Sequence, residues 1–146
     1  MTQPNGWPVE RPAPKQLESG RATFLFVYGN LFYAAASTLE NNLPGVEGTS
    51  RAVAILLLRG NEDVGSTVNE VLRRYAEALQ SHSGKLILAG VSPALHKQFE
   101  RTGLLNTIGP ENIFPVTDTI GEAGNAALMA ATDWLAEPSA EQDAIR

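Results

Sequence analysis

A chain of 146 residues with a net charge of −5 fits one domain, long enough to bury about 68% of its unfolded surface around a single core. It has no cysteine, which excludes disulfides, thiol nucleophiles and cysteine-based zinc sites. The acidic balance and the scattered basic residues, with only Arg73 and Arg74 adjacent, leave no electrostatic footprint for nucleic acid.

Residues 1–20 contain four prolines and two glycines with little apolar periodicity, so they read as a linker or extended arm in which Trp7 could anchor on a partner. They also lack the positive start and apolar segment of a secretory signal. Residues 22–28, ATFLFVY, are β-branched and aromatic and predict a strand ended by Gly29 and Asn30. AAASTLENNLPG then predicts a short helix stopped by Pro44 and Gly45. The run RAVAILLL, residues 51–58, is so continuously apolar that it predicts a strand buried on both faces, at the centre of a helix-covered sheet.

RGNEDVGST, residues 59–67, follows as a loop opening a helix, with Ser66 or a neighbour as its cap. Val68, Val71, Leu72, Tyr75 and Leu79 recur at helical spacing, Glu70, Arg73, Arg74 and Glu77 form the wet face, and Gly84 is the predicted stop. KLILAGV, residues 85–91, predicts a third strand. SPALHKQFERTG predicts a helix with Pro93 in its first turn and Gly103 at its end. After a loop with Gly109 and Pro110, NIFPV predicts a short strand kept to the edge by Pro115. A last helix is expected over 117–135, with a frayed tail over 137–146. Strand and helix alternate throughout, which implies an α/β fold with a mostly parallel β-sheet flanked by helices. No run approaches the roughly 20 apolar residues that cross a bilayer, so direct membrane insertion of this stretch is not expected.

Candidate sites are sparse. The spacing Gly60 to Gly65 imitates a phosphate-binding P-loop, but Ser66 stands where the lysine belongs and Glu62 and Asp63 make the loop negative, so nucleotide phosphate would be repelled. The alternative is a turn and helix start, where acidic residues suit the helix dipole. His82 and His96 lie in different elements without ligand spacing, and no serine-nucleophile elbow is present. The sequence therefore predicts no catalytic residue, no metal site and no cofactor. Trp7, Phe32, Tyr33 and Trp134 read as core or lid residues before a recognition patch, with Trp7 the exception.

VYGNLFYAAASTLENNLPG, VAILLLRGNEDVGSTVNEVLRRYAEAL and KLILAGVSPALHKQFERTGLLNTIGPENIF, in that order, resemble the STAS domain. The likeness is to the version carried by SulP-family anion transporters, and it spans about residues 20–135. It implies an arm over 1–20, a STAS domain over 21–136 and a flexible tail. It also implies a cytoplasmic regulatory and assembly role in a plasma-membrane transporter of sulfate, bicarbonate or a similar ion, whose membrane spans lie outside these residues. The expected partners are the membrane domain of that parent and a second STAS copy in a homodimer. The contact residues would be Trp7 and the loop with Asp63, Gly65, Ser66 and Thr67. An alternative within the family is a free-standing anti-sigma-factor antagonist switched by phosphorylation in an Asp-x-Ser/Thr-Gly loop. Laid on that motif, Asp63 matches the aspartate, Gly65 takes the acceptor position and Ser66 the glycine position. A phospho-switch would therefore need Ser66 or Thr67 after a shift.

Overall fold

A computed structural model describes residues 16–26, 43–58, 64–119 and 121–137. The predicted helix before Pro44, the end of the first predicted strand, Trp7, Phe32, Tyr33, Asp63 and the tail from residue 138 lie outside them. The described strands are β1 (Ala22–Phe26), β2 (Val53–Leu57), β3 (Lys85–Val91) and β4 (Ile113–Pro115). All pair in parallel in the order β1-β2-β3-β4, with Phe24 opposite Ile55, Ile55 opposite Ile87, and Leu88 opposite Ile113. The helices are α1 (Ser66–Ser81), α2 (Pro93–Thr102), the short α3 (Leu104–Ile108) and α4 (Glu122–Ala136). A 3-10 turn over Pro110–Asn112 precedes β4.

β2 is an apolar strand because it has no wet face. Ala54, Leu56 and Leu58 join Leu86 and Leu88 of β3 in a front core covered by Val68, Leu72 and Leu79 of α1, Leu95 and Phe99 of α2, and Leu104 and Ile108 of α3. Val53, Ile55, Ile87 and Ala89 form the back core beneath Ala123, Ala127 and Ala131 of α4. Those alanines recur every fourth residue, so the smallest side chains of α4 face the sheet and let the helix lie close to it. Gly124 sits beside them, where an added Cβ would come 3.2 Å from Leu57.

Strand alternation would send Val91 to the back with Ile87 and Ala89. Instead it belongs to the front core, because the register shifts between Ala89 and Val91 at Gly90, whose φ is +76°. This bulge re-aims one side chain and brings β3 into the turn before α2.

Several element ends depart from the sequence expectation. At α1 the cap is Gly65, the neighbour left open beside Ser66, but it makes no side-chain cap bond and Ser66 is already the first helical residue. At the other end His82 is the cap. Ser83 takes the left-handed conformation at φ +63°, the Ser83 N–H donates to Gln80 O and the Gly84 N–H donates to Leu79 O at 2.8 Å. These two bonds make a Schellman ending in which serine holds the place usually given to glycine. Gly84 serves a different purpose, since a Cβ there would meet the Ala52 carbonyl oxygen at 2.1 Å. The last helix starts at Glu122 rather than near 117, because Gly121 at φ +88° breaks the backbone there. Leu104–Ile108 form a helix the sequence does not announce, since five helical residues after the Gly103 stop are too few to show a period.

Two outcomes follow for stability. Gly84→Ala forces the Ala52 backbone aside and should cost about 1–3 kcal/mol, whereas Ser83→Gly relieves a left-handed non-glycine residue and should gain about 1 kcal/mol, both read from urea midpoints. Equal effects of the two would contradict the assignment of Ser83, not Gly84, as the strained position. Tyr75 supplies the second. Its hydroxyl donates to Pro44 O at 2.8 Å and burial raises its pKa above the ordinary tyrosine value. The folded state keeps this proton when the unfolded chain loses it near pH 10, so the contribution is complete below that pH and is lost above it. The stability advantage of wild type over Tyr75→Phe should therefore shrink between about pH 9 and pH 11.

Candidate partner-contact site

The loop singled out by sequence leaves the C-terminal end of β2 and enters α1. Both of its stems are fastened. On the entry side Leu58 is fully buried and its N–H donates to Ala89 O of β3 at 2.9 Å. On the exit side Val64 is 2% exposed and belongs to no strand or helix. Its backbone is served by one side chain of α2: the Val64 N–H donates to Gln98 Oε1 at 3.0 Å, and Gln98 Nε2 donates to Val64 O at 2.6 Å. One turn further along α2, Thr102 Oγ1 donates to Asn69 Oδ1 at 3.2 Å, and the Asn69 N–H donates to Gly65 O at 2.9 Å. Gln98 and Asn69 are contact-setting residues that the sequence reading missed. A glutamine on a helix flank and an asparagine inside an amphipathic run carry no signal until the partner backbone is known.

Of the expected contact residues, Ser66 and Thr67 are exposed at the first two positions of α1, and Gly65 is half-buried at its cap. The structure brings these three together; Asp63 and Trp7 lie outside the described residues. By helix geometry the first-turn N–H groups have no carbonyl within α1, so the surface here is polar and mildly electropositive at the backbone. The four described strands follow one another across the sheet without reversing direction, so they form no topological switch point of the kind that houses a nucleotide in α/β sheets. The wet face of α1 is a screened ion network. Arg73 pairs with Glu70 and, at 3.0 Å, with Glu77, which holds the Glu70 carboxyl below and the Arg73 guanidinium above their ordinary pKa values.

At the other end of the sheet two cations flank Trp134 of α4, Arg51 at 4.5 Å and Lys85 at 4.6 Å from the ring centroid. Arg51 also donates to the carbonyls of Trp134 (2.8 Å) and Glu137 (2.9 Å), closing the C-terminal end of α4, where a cation suits the helix dipole. Its backbone N–H donates to His82 O beyond α1, and its φ of +58° is what turns it toward both helices. Lys85 Nζ donates to Asn112 Oδ1 at 3.1 Å. Burial lowers its pKa; Glu111 and Glu137 oppose that shift, and Arg51 adds to it. Arg51 and Lys85 thus bind groups of the protein itself, and the cluster acts as a fastening at this end of the sheet. His82 caps α1 and His96 is exposed on α2; among the described residues no three His, Asp or Glu side chains gather as metal ligands.

A four-stranded parallel sheet with helices on both faces and a fastened loop before α1 defines a small α/β domain. The sequence model of the STAS domain matches residues 13–123, and the chain belongs to that family. Within it the chain is similar to proteins named as sulfate transporters and to a transporter's STAS domain. A Wolinella succinogenes sulfate transporter family protein has a crystal structure that superposes with a TM-score of 0.64 at 27% identity, covering 85% of this chain and 93% of that one. The SulP transporter STAS domain of Vibrio cholerae shares the fold at a TM-score of 0.57 and 20% identity, covering 91% and 92%. YvdB of Bacillus subtilis (strain 168), named as a sulfate transporter, is 24% identical over 109 residues, which is 75% of this chain and 21% of that protein. The chain thus spans about a fifth of the length of that curated relative.

The Arg51 fastening makes a separable prediction. Arg51→Ala removes the carbonyl bonds and leaves a strained backbone, and should cost about 2–3 kcal/mol; Arg51→Gly loses the same bonds but tolerates the positive φ, and should be milder by about 1 kcal/mol. Thermal or urea unfolding of the two variants checks the order. Arg51→Gly proving no milder than Arg51→Ala would remove the argument from strain.

Proposed function

We propose that this chain is the cytoplasmic regulatory and assembly domain of a longer SulP-type secondary transporter of an inorganic anion such as sulfate or bicarbonate. The observation that carries the reading is the family match over residues 13–123 in a chain whose aligned part spans about a fifth of its transporter relative. No helix among the described residues is long and apolar enough to cross a membrane, so the translocation path has to be supplied by other residues. The domain then acts by contact: it favours one state of the membrane part, or of a two-fold assembly, by docking better in that state than in the other. The surface offered is the start of α1 with Ser66 and Thr67, the loop before it with Asp63, and the arm with Trp7.

The family's other known role, a phosphorylated antagonist, is less well supported. The residue at the acceptor position is Gly65, which has no hydroxyl, and the named relatives are transporters. Pairing of the isolated domain is expected to be weak, because two tethered copies gain an effective concentration that free ones lack.

Removing residues 21–136 from the longer protein while keeping its membrane part is the direct test. The expected result is a protein still present in the membrane with altered anion flux or a changed oligomeric state. Unchanged abundance, assembly and flux together would refute the proposal.

A further inference from the structure

We propose that Gln98 of α2 is the positioning residue for Val64, where the chain enters α1, so that α2 controls how the start of α1, with Gly65, Ser66 and Thr67, is presented to a partner. The inference rests on the reading of the loop as a contact surface and adds what regulates it. Val64 is buried outside any ladder, so its N–H and C=O both need partners within the protein. A primary amide is the one neutral side-chain group that offers a donor and an acceptor side by side, and Gln98 uses both on this single residue. Four residues on, Thr102 bonds Asn69 in the first turn of α1, so the same flank of α2 grips the loop exit and the helix start.

The rest of α2 is built to keep that flank in place. Leu95 and Phe99 are fully buried, the Ser92 hydroxyl accepts from the Leu95 N–H at 3.1 Å, and Gly103 closes the helix in the left-handed conformation. The opposite side of α2 is exposed at His96, Lys97, Glu100 and Arg101. A partner bound there moves or holds the same rigid helix whose inner flank sets Val64. Displacing Gln98 without a replacement leaves two buried backbone groups unpaired, so the favourable response is for the loop exit to turn out to water.

The test uses Gln98→Met, which keeps length and helix preference but loses both bonds, and Gln98→Glu, which keeps the acceptor for the Val64 N–H and loses the donor. Amide hydrogen exchange is followed at Val64, with Ile55 and Leu72 as references. The expected result is exchange at Val64 faster by roughly tenfold or more in Gln98→Met, an intermediate rate in Gln98→Glu, and unchanged references. Unchanged exchange at Val64 overturns the proposal. So does equal acceleration at all three amides, which would make Gln98 a general stability residue. In the longer transporter, Gln98→Met is then compared with wild type for flux at equal abundance, with altered flux expected. Faster Val64 exchange with wild-type flux upholds the positioning and refutes the contact-surface reading, so the two failures are distinguishable.

Discussion

The structure depends on the burial of β2 and β3 on both faces. Val53 to Leu56 and Leu86 to Ala89 are at most 1% exposed, so neither strand has a side that water can reach. One helix layer cannot satisfy that requirement. α1, α2 and α3 cover the front through crossovers that step the same way across the sheet, which puts them on one side, and among the described residues α4 alone covers the back. Its alanine row and Gly124 let it lie close to the sheet. The bulge at Gly90 serves the same division, sending Val91 forward to the layer that has room for it.

The two ends of this sheet are built differently. At the N-terminal ends of the strands, Arg51 and Lys85 bind Trp134 between them, and Arg51 joins β2 to the ends of both α1 and α4. Each link there closes a helix terminus or a backbone group, so opening it exposes several unpaired polar groups together. At the C-terminal ends, among the described residues, the entry into α1 is held by the Gln98 amide on Val64 and by the Thr102–Asn69 pair. On the proposed reading, in which the domain acts by contact, this is where a response to a partner belongs.

The elements legible in the sequence were those whose burial leaves a pattern. The two-sided apolar run of β2, the helical spacing Val68, Val71, Leu72, Tyr75, Leu79, and the Pro93 and Gly103 ends of α2 all appear where the residues predict them. The misplaced ends were decided by partners distant in sequence. Gly84 looks like a helix stop, yet its lack of a side chain answers the carbonyl of Ala52 across the sheet. Arg51 looks like a polar strand flank, yet it closes a helix that begins about 70 residues later. The candidate site was legible as a strand–loop–helix surface with Gly65, Ser66 and Thr67, but its fastening was not, because Gln98 acts on backbone groups and backbone groups have no sequence signature.

At Gly65 the acceptor position of the switch motif carries no hydroxyl, while the neighbouring Val64 stays fastened. The Gly65 φ of −67° and ψ of 158° are extended values open to any residue, so the backbone does not demand glycine there. A serine in that place would have offered a cap to the α1 N–H groups and a hydroxyl for modification, and replacing serine by glycine at such a cap costs only a few tenths of a kcal/mol. Helix stability therefore exerts almost no pressure to keep the hydroxyl once modification is not selected. The geometry of the exit is a different matter, since Val64 has to be paired whatever stands at position 65. That burden falls on Gln98, a neutral group that phosphorylation cannot address and that only movement of α2 can withdraw. On the proposed reading, a loop exit held in this way answers to mechanical contact at α2 rather than to added charge, the kind of signal a neighbouring domain of a longer transporter would give.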